Sequence, residues 1–357
     1  VSGPADGLFL PSAMSDLIDV FRMKPNDFSE ARVLVTGGAG FIGSALIWGL
    51  NRRGCDDIVV CDILGTNEKW RNLSSLRFAD YVEAADLLPR LQSGALGKID
   101  LVLHMGACSA TTEKDASYLI KNNFEFTKDL AQWALANKAR FVYASSAATY
   151  GDGSMGMEDD ETKLDSLRPL NMYGYSKHLF DLHAKRGGFL NKMVGLKYFN
   201  VFGPNEDHKA DMRSLVHKSF AQVQGKGVIQ LFESYRKDYK DGEQKRDFLY
   251  VKDCVAMTLH LAATPRASGL FNIGSGQART WIDLAQAVFT ALKKKPSIKF
   301  IEMPLSIRDK YQYFTQANLL RLRGAGYAAP VTSLENSVHD YVRKYLLPDK
   351  RLDPSVE

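Results

Sequence analysis

The chain lacks paired cysteine chemistry. Its four cysteines, Cys55, Cys61, Cys108 and Cys254, form no C-x-x-C pair in 357 residues. That speaks against a disulfide-stapled scaffold, and no metal site is expected. Three of the four lie among apolar or small residues and read as buried thiols of a reducing compartment, so a cytoplasmic protein is expected. One-sided charge is missing too. Lys and Arg number 46 against 41 Asp and Glu, a formal net charge of +5 with the signs interspersed. Such a balance leaves no footprint for nucleic acid. No apolar run approaches the length of a membrane span. Repeats and low-complexity tracts are absent. Leu8–Pro11 is too short for a signal-peptide core, and no basic region precedes it. Residues 1–31 therefore read as an extension packed on, or trailing from, the fold, with Leu17–Met23 as a candidate short helix.

What the chain does have is Val33–Asp62, VLVTGGAGFIGSALIWGLNRRGCDDIVVCD. Val33–Thr36 reads as a buried parallel strand. Glycines follow in the spacing G-x-x-G-x-x-G. An amphipathic helix comes next, with Ile42, Leu46, Ile47 and Leu50 on one side. A second apolar strand, Ile58–Cys61, ends in Asp62. Gly37 permits a tight turn, Gly40 lets the backbone approach a pyrophosphate, and Gly43 lets helix and strand pack closely. Free N–H groups at the helix start, at Phe41 and Ile42, point at phosphates. Asp62 stands about 20 residues beyond the glycines, where a carboxylate accepts from a ribose hydroxyl. A glycine triplet alone is a weak sign. Strand, triplet, helix, strand and acid in one register is a strong one.

Further along, Trp70–Leu88 reads as mixed and loop-like, with a polar-apolar stretch around Phe78–Val82. Ile99–His104 is another buried strand, running into Met105-Gly106-Ala107-Cys108-Ser109, small residues that let a cofactor lie across a strand end. Asn122 and Asn123 fall in a predicted helix, Tyr118–Asn137. Asn is a poor interior helix residue, so the pair signals side chains used for hydrogen bonds, with a solvated face as the alternative. Arg140–Ser145 is the next strand, and Ser146 follows it. Tyr173 and Lys177 are four apart, which sets them on one face of a helix. A free tyrosine is a poor base at neutral pH, and a nearby ammonium lowers its pKa. Ser146 can donate to the oxygen that Tyr173 deprotonates. Tyr175 points to another face.

These residues together resemble the extended short-chain dehydrogenase/reductase family over roughly residues 32–347. The resemblance implies a Rossmann-type doubly wound parallel sheet with a smaller, discontinuous substrate-binding region. The dinucleotide domain is expected at 32–198 plus about 248–295, the substrate region at about 199–247 plus 296–347, and a tail at 348–357. Strand Leu270–Ile273 and helix Trp281–Leu292 are expected to return to the main domain. The stretch Arg246–Asp253, RDFLYVKD, looks like that of the sugar-nucleotide members. Nucleotide-sugar dehydratases of the family carry Asp-Glu where this chain has Ala147 and Ala148, so elimination is disfavoured and epimerisation or simple oxidoreduction remains.

Four segments narrow the resemblance: MGACSATTE at Met105–Glu113, ASSAATYG at Ala144–Gly151, YFNVFGPNEDHK at Tyr198–Lys209 and KYQYFTQA at Lys310–Ala317. They are similar to the branch of the family that epimerises an ADP-linked heptose for lipopolysaccharide biosynthesis. The implied partner is an ADP-heptose nucleotide sugar, the implied cofactor NADP, with NAD the alternative that Asp62 alone favours. Lys69 and Arg71 could neutralise a 2′-phosphate. A homo-oligomer is implied, with a pentamer among the options. Carried over, the catalytic roles fall on Ser146, Tyr173, Lys177 and, from a G-P-x-x-x-H-K segment, Lys209 as a second acid/base. Cofactor contacts fall on Gly37, Gly40, Phe41, Ile42, Gly43, Asp62, Ile63, Lys69, Met105, Gly106, Ala107, Cys108, Ser109, Asn122, Tyr173, Lys177 and Val201. Substrate contacts fall on Ser146, Asn200, Lys209, Asp211, Lys218, Phe232, Glu233, Arg246 and Tyr311, with Arg246 as a two-pronged diphosphate ligand. Two features depart from the pattern. Residues 234–245 are a longer charged stretch, either a lid or a solvated loop, and Ile63 stands where a polar residue is usual. The rival readings are a nucleotide-sugar 4-epimerase and a non-catalytic nucleotide-sensing protein on the same fold.

Overall fold

The computed structural model of the chain describes residues 27–308 and 311–356. The candidate helix at Leu17–Met23 and Lys310 lie outside the described residues. β1 (Val33–Thr36), α1 (Phe41–Asn51) and β2 (Ile58–Asp62) form where the glycine fingerprint requires them. β3 (Asp80–Glu83) and α2 (Ala84–Gln92) come next. β4 (Leu101–His104) leads through α3 (Ala116–Leu119) and a π-helical turn at Ile120–Glu125 into α4 (Phe126–Ala136). β5 (Arg140–Ser146), α5 (Met172–Arg186) and β6 (Val194–Tyr198) follow. β7 (Asn200–Phe202), α6 (Leu215–Lys226), β8 (Ile229–Phe232) and β9 (Lys245–Tyr250) leave the central sheet. α7 (Val251–Ala263) and β10 (Gly269–Ile273) come back to it.

The central sheet is seven-stranded, in the order β10-β6-β5-β4-β1-β2-β3, and every pair is parallel. All four residues of β1 are buried, as are all five of β2. Such strands are covered on both faces, which their unbroken aliphatic runs require. The order reverses between β1 and β4. A parallel sheet of this kind opens a crevice at that switch point, outside the carboxyl ends of its strands. Among the described residues, no helix is long and apolar enough to cross a membrane.

Several expectations are corrected. Trp70–Leu88 is not loop-like: it holds part of a 3₁₀ turn at Glu68–Asn72, all of β3 and the start of α2. β3 is an edge strand with only Val82 buried, and α2 carries Pro89 inside it and buries only Leu87 and Leu91. Pro89 reads as a helix breaker and hides α2, and β3 is only four residues long. α1 is not amphipathic but buried almost all round. It lies under α7, and a Cβ on Gly49 would stand 2.4 Å from Val255.

Helix Trp281–Leu292, here α8 after β11 (Ala278–Thr280), does not return to the main domain. β12 (Ile298–Ile301), α9 (Leu305–Arg308), α10 (Leu320–Gly324) and α11 (Leu334–Tyr341) follow it, and α8 packs against α6 and α11. The cause is a knot just after β10. Asp247 accepts from the N–H groups of Gly276 and Ala317, both at 2.9 Å, and turns the chain toward β9, with which β11 pairs antiparallel. The described part of the tail, 348–356, is anchored, since Leu352 is fully buried.

Candidate active site

One cavity of about 1670 Å³ runs across the switch point. Its floor is the fingerprint. Gly37 takes a left-handed φ of +64°, and a Cβ there would stand 2.7 Å from the Gly106 nitrogen. A Cβ on Gly43 would stand 2.1 Å from the Gly37 carbonyl oxygen. Both glycines are thus required by close backbone approach. α1 starts at Gly40 with no side-chain cap, so its first N–H groups are left for an anion. This bare backbone, open to the cavity and ending in an uncapped helix, fits a dinucleotide.

Asp62 closes the same end. Its Oδ2 accepts from the Ala39 N–H at 2.8 Å, and its Oδ1 from the Ile63 N–H at 2.7 Å. Lys69 Nζ reaches the same Oδ1 at 2.9 Å and the Ile63 carbonyl at 2.9 Å. A carboxylate and a cation therefore share the ribose position.

The neighbouring strand end is fixed by the π-helical turn. A wide π turn displaces one side chain from the helical ladder, and such turns gather at functional sites. Here it directs the fully buried Asn123 inward. Asn123 Oδ1 accepts from the Cys108 N–H at 2.8 Å, while its Nδ2 donates to the Cys108 carbonyl at 2.9 Å and to Ser176 Oγ at 3.0 Å. Ser176 Oγ donates to the Tyr173 carbonyl at 2.8 Å. One amide thus ties the Met105–Ser109 loop to α5. Asn122 lies on the cavity wall and bonds the Tyr118 carbonyl.

α5 begins at Asn171, whose side chain accepts from the Gly174 N–H at 2.8 Å. A Cβ on Gly174 would stand 2.8 Å from the Ala148 carbonyl oxygen. The bare glycine lets the first turn of α5 sit against the turn that follows β5, which carries Ser146. Ser146 Oγ accepts from the Ala148 N–H at 3.1 Å, leaving its proton to donate. Ser146, Tyr173 and Lys177 all line the cavity, and Tyr175 points to solvent.

The electrostatics differ from expectation at one point. Burial pulls the Lys177 ammonium down to about 8, against the raising pull of Asp181. Burial also holds the Tyr173 phenol above its ordinary value, and the hydrogen bond with Ser146 is what draws it back. Lys177 was expected to lower Tyr173; in the chain alone the lowering comes from Ser146 and not from Lys177, and desolvation outweighs it. Lys209 lines the same cavity, its Nζ 5.1 Å from the Phe41 ring centroid. Burial lowers its pKa, the Glu206 charge opposes this, and the Lys218 charge adds to it.

Most of the remaining expected residues meet here. Phe41, Ile42, Ile63, Lys69, Met105–Ser109, Asn200, Val201, Lys218, Phe232 and Tyr311 all line the cavity. Three do not. Asp211 is exposed outside it, and Glu233 is not part of its wall. Arg246 lies behind the wall, its guanidinium 4.8 Å from the Tyr311 ring centroid and 5.6 Å from that of Trp281. Tyr311 and Trp281 form the wall itself, joined by a 2.8 Å bond from Trp281 Nε1 to the Tyr311 hydroxyl. The charged stretch 234–245 folds on neighbouring rings rather than hanging free: Arg236 stacks on Tyr239 and Tyr313.

The structure adds His208, Arg213 and Trp281 to the cavity wall. His208 adjoins Lys209 in sequence and could have been read from that. Arg213 and Trp281 carry no local signal.

The sequence profile described as the NAD dependent epimerase/dehydratase family matches residues 33–274. The chain belongs to this family. Among relatives, an ADP-L-glycero-D-manno-heptose-6-epimerase of Nitratidesulfovibrio vulgaris is 53% identical over 314 residues, 88% of this chain and 97% of the relative. Among solved structures, the ADP-L-glycero-D-manno-heptose-6-epimerase of Helicobacter pylori superposes with a TM-score of 0.75 at 28% identity, covering 89% of this chain and 96% of that one. A UDP-glucose 4-epimerase of Thermus thermophilus, solved with NAD, gives 0.70 at 26% identity, covering 87% and 97%. In this epimerase/dehydratase family member, the crevice at the β1–β4 switch point and the Ser146–Tyr173–Lys177 wall form one continuous site.

Proposed function

We propose that this chain is an isomerase that inverts C6″ of an ADP-linked heptose, converting ADP-D-glycero-D-manno-heptose to the L-glycero epimer with resident NADP. The observation that carries the reading is that Tyr173 and Lys209, from separate segments, line one cavity with the fingerprint glycines. The near full-length relatives named for this activity support it. The nicotinamide cofactor supplies reversible hydride transfer at the carbinol carbon. Tyr173 takes the C6″ hydroxyl proton while Ser146 donates to the same oxygen. Lys177 holds positive charge beside Tyr173 and can donate to a ribose hydroxyl. Inversion requires the carbonyl sugar to present its other face to the same nicotinamide. Lys209, with its pKa lowered by burial, serves the oxygen in that second pose. Ala147 and Ala148 hold no proton, so water elimination has no acid or base at that turn. NADP is favoured over NAD because Lys69, held against Asp62, can neutralise a 2′-phosphate that Asp62 alone would repel.

The test offers each purified epimer of the ADP-heptose to the protein and follows C6″ by proton NMR. Both should relax to one mixture with no added oxidant, and inertness toward both overturns the reading. Mass analysis of nucleotide released on denaturation should show NADP. NAD alone would overturn only the cofactor choice.

A further inference from the structure

After α11 the chain runs back across the nucleotide-binding half. Leu352 is fully buried, its N–H donates to Asn205 Oδ1 at 2.9 Å, and its carbonyl accepts from Ser75 Oγ at 2.9 Å. Next to it, the Asp353 carbonyl accepts from Trp48 Nε1 of α1 at 3.2 Å. Asn205 is also fully buried and takes a left-handed φ of +77°. Its Nδ2 donates to Ser44 Oγ of α1 at 3.0 Å, and its carbonyl accepts from Asn72 Nδ2 at 3.0 Å. Four residues on, the loop presents Lys209 to the cavity. That loop is strained, since Ala210 stands at φ +46°, a conformation that persists only where surroundings impose it. A second hold lies beside the first. Arg351 Nε meets Asp207 Oδ2 at 3.2 Å, and Asp207 Oδ1 meets His217 Nε2 at 3.2 Å. Neither Arg351 nor Leu352 lines the cavity.

We infer that Arg351 and Leu352 are positioning residues that clasp the 205–210 loop against α1 and thereby set where Lys209 stands. The clasp rests on the reading of Lys209 as the second acid/base. It acts on one pose of the sugar only, because Tyr173 is held independently, through Asn171, Gly174 and Asn123. α1 carries the uncapped N-terminus at the fingerprint, so one anchor locates both the phosphate site and Lys209.

The experiment is a single-turnover assay on the protein with its oxidised cofactor bound. Each C6″ epimer is offered separately, and reduction is read at the nicotinamide absorbance. Lys209→Met is run in parallel and identifies the epimer that depends on Lys209. Arg351→Met should slow reduction by that epimer by about tenfold or more and leave the other within about twofold, as expected when a reacting group is misplaced by an ångström or less. Arg351→Lys, which keeps a cation for Asp207, should recover most of the rate. A merely structural role would instead depress both half-reactions together with the melting temperature, and that result overturns the clasp. So does an unchanged rate with both epimers, or a loss confined to the epimer that Lys209→Met spares. If Lys209→Met itself keeps both half-reactions, the Lys209 reading fails first and separately.

Discussion

Tyr173 and Tyr175 are two residues apart on α5, yet only Tyr173 lines the cavity; Tyr175 is 45% exposed. Helix geometry separates them by more than half a turn. Tyr173→Phe should therefore lower turnover by about 10²–10⁴-fold, the usual cost of a positioned acid/base. Tyr175→Phe should leave turnover near wild type. Steady-state rates for the two variants, with cofactor content measured on each, decide this; equal losses would refute the assignment. At this scale the spacing of Tyr173 and Lys177 was legible because one turn of helix is a local rule. The sign of the Tyr173 shift was not. It depends on desolvation by residues far away in sequence, which no spacing reports. The place of Arg246 was not legible either: its motif is intact, but its guanidinium packs on the Tyr311 and Trp281 rings, which line the cavity while Arg246 itself does not.

Among elements, β1, α1 and β2 could be read because every strand residue before the closing Asp62 is apolar or small and the glycines fix the turns. β3 and α2 could not, because a four-residue edge strand is too short to separate from a loop and Pro89 interrupts the helical reading of α2. The π-helical turn left only an indirect sign, in the unlikely pair Asn122-Asn123. One pairing of elements was invisible in sequence. Lys197 on β6 and Asp181 on α5 meet at 2.9 Å with side-chain exposures of 1% and 0%. Asp181 also accepts from the Tyr143 hydroxyl at 2.9 Å and Ser145 Oγ at 2.7 Å, and Lys197 Nζ donates to Thr149 Oγ1 at 2.6 Å. Such a pair adds little net stability when whole, but removing one partner strands a buried charge. Lys197→Met should cost about 3–5 kcal/mol. Adding Asp181→Asn should return part of that loss. Urea unfolding of the wild type, the single variant and the double variant tests this. If the double variant is no more stable than the single one, the two charges are not coupled.

Over the whole molecule, the strand order explains why residues so distant in sequence share one cavity: β1, β4 and β5 end side by side, and each end delivers one part of the site. The same arrangement buries His104 at the centre of the sheet. His104 Nδ1 lies 2.6 Å from Thr36 Oγ1, which accepts from the Gly106 N–H at 3.1 Å. His104 Nε2 lies 2.8 Å from Thr127 Oγ1, which donates to the Asn123 carbonyl at 2.7 Å. Thr127 gives its proton to Asn123, so Nε2 donates to it, and in the neutral ring that burial favours Nδ1 then accepts from Thr36. Burial, followed by the Lys177 charge, pulls His104 down to about 3, and burial pulls His208 down to about 4. An unfolded histidine titrates near about 6.5. Between those limits the unfolded chain holds protons that the folded chain refuses, so stability rises with pH there and falls on acidification. The melting temperature should thus drop steadily from pH 6.5 to pH 4. His104→Gln keeps a donor and an acceptor but cannot titrate. It should melt lower than wild type at pH 8, where its geometry is inferior, and lose less on going to pH 4. Scanning calorimetry of both proteins across that range gives the two slopes. Parallel slopes would show that His104 takes up a proton in the folded state as readily as in the unfolded one, and the ordered chain from Gly106 to Asn123 would then be wrong.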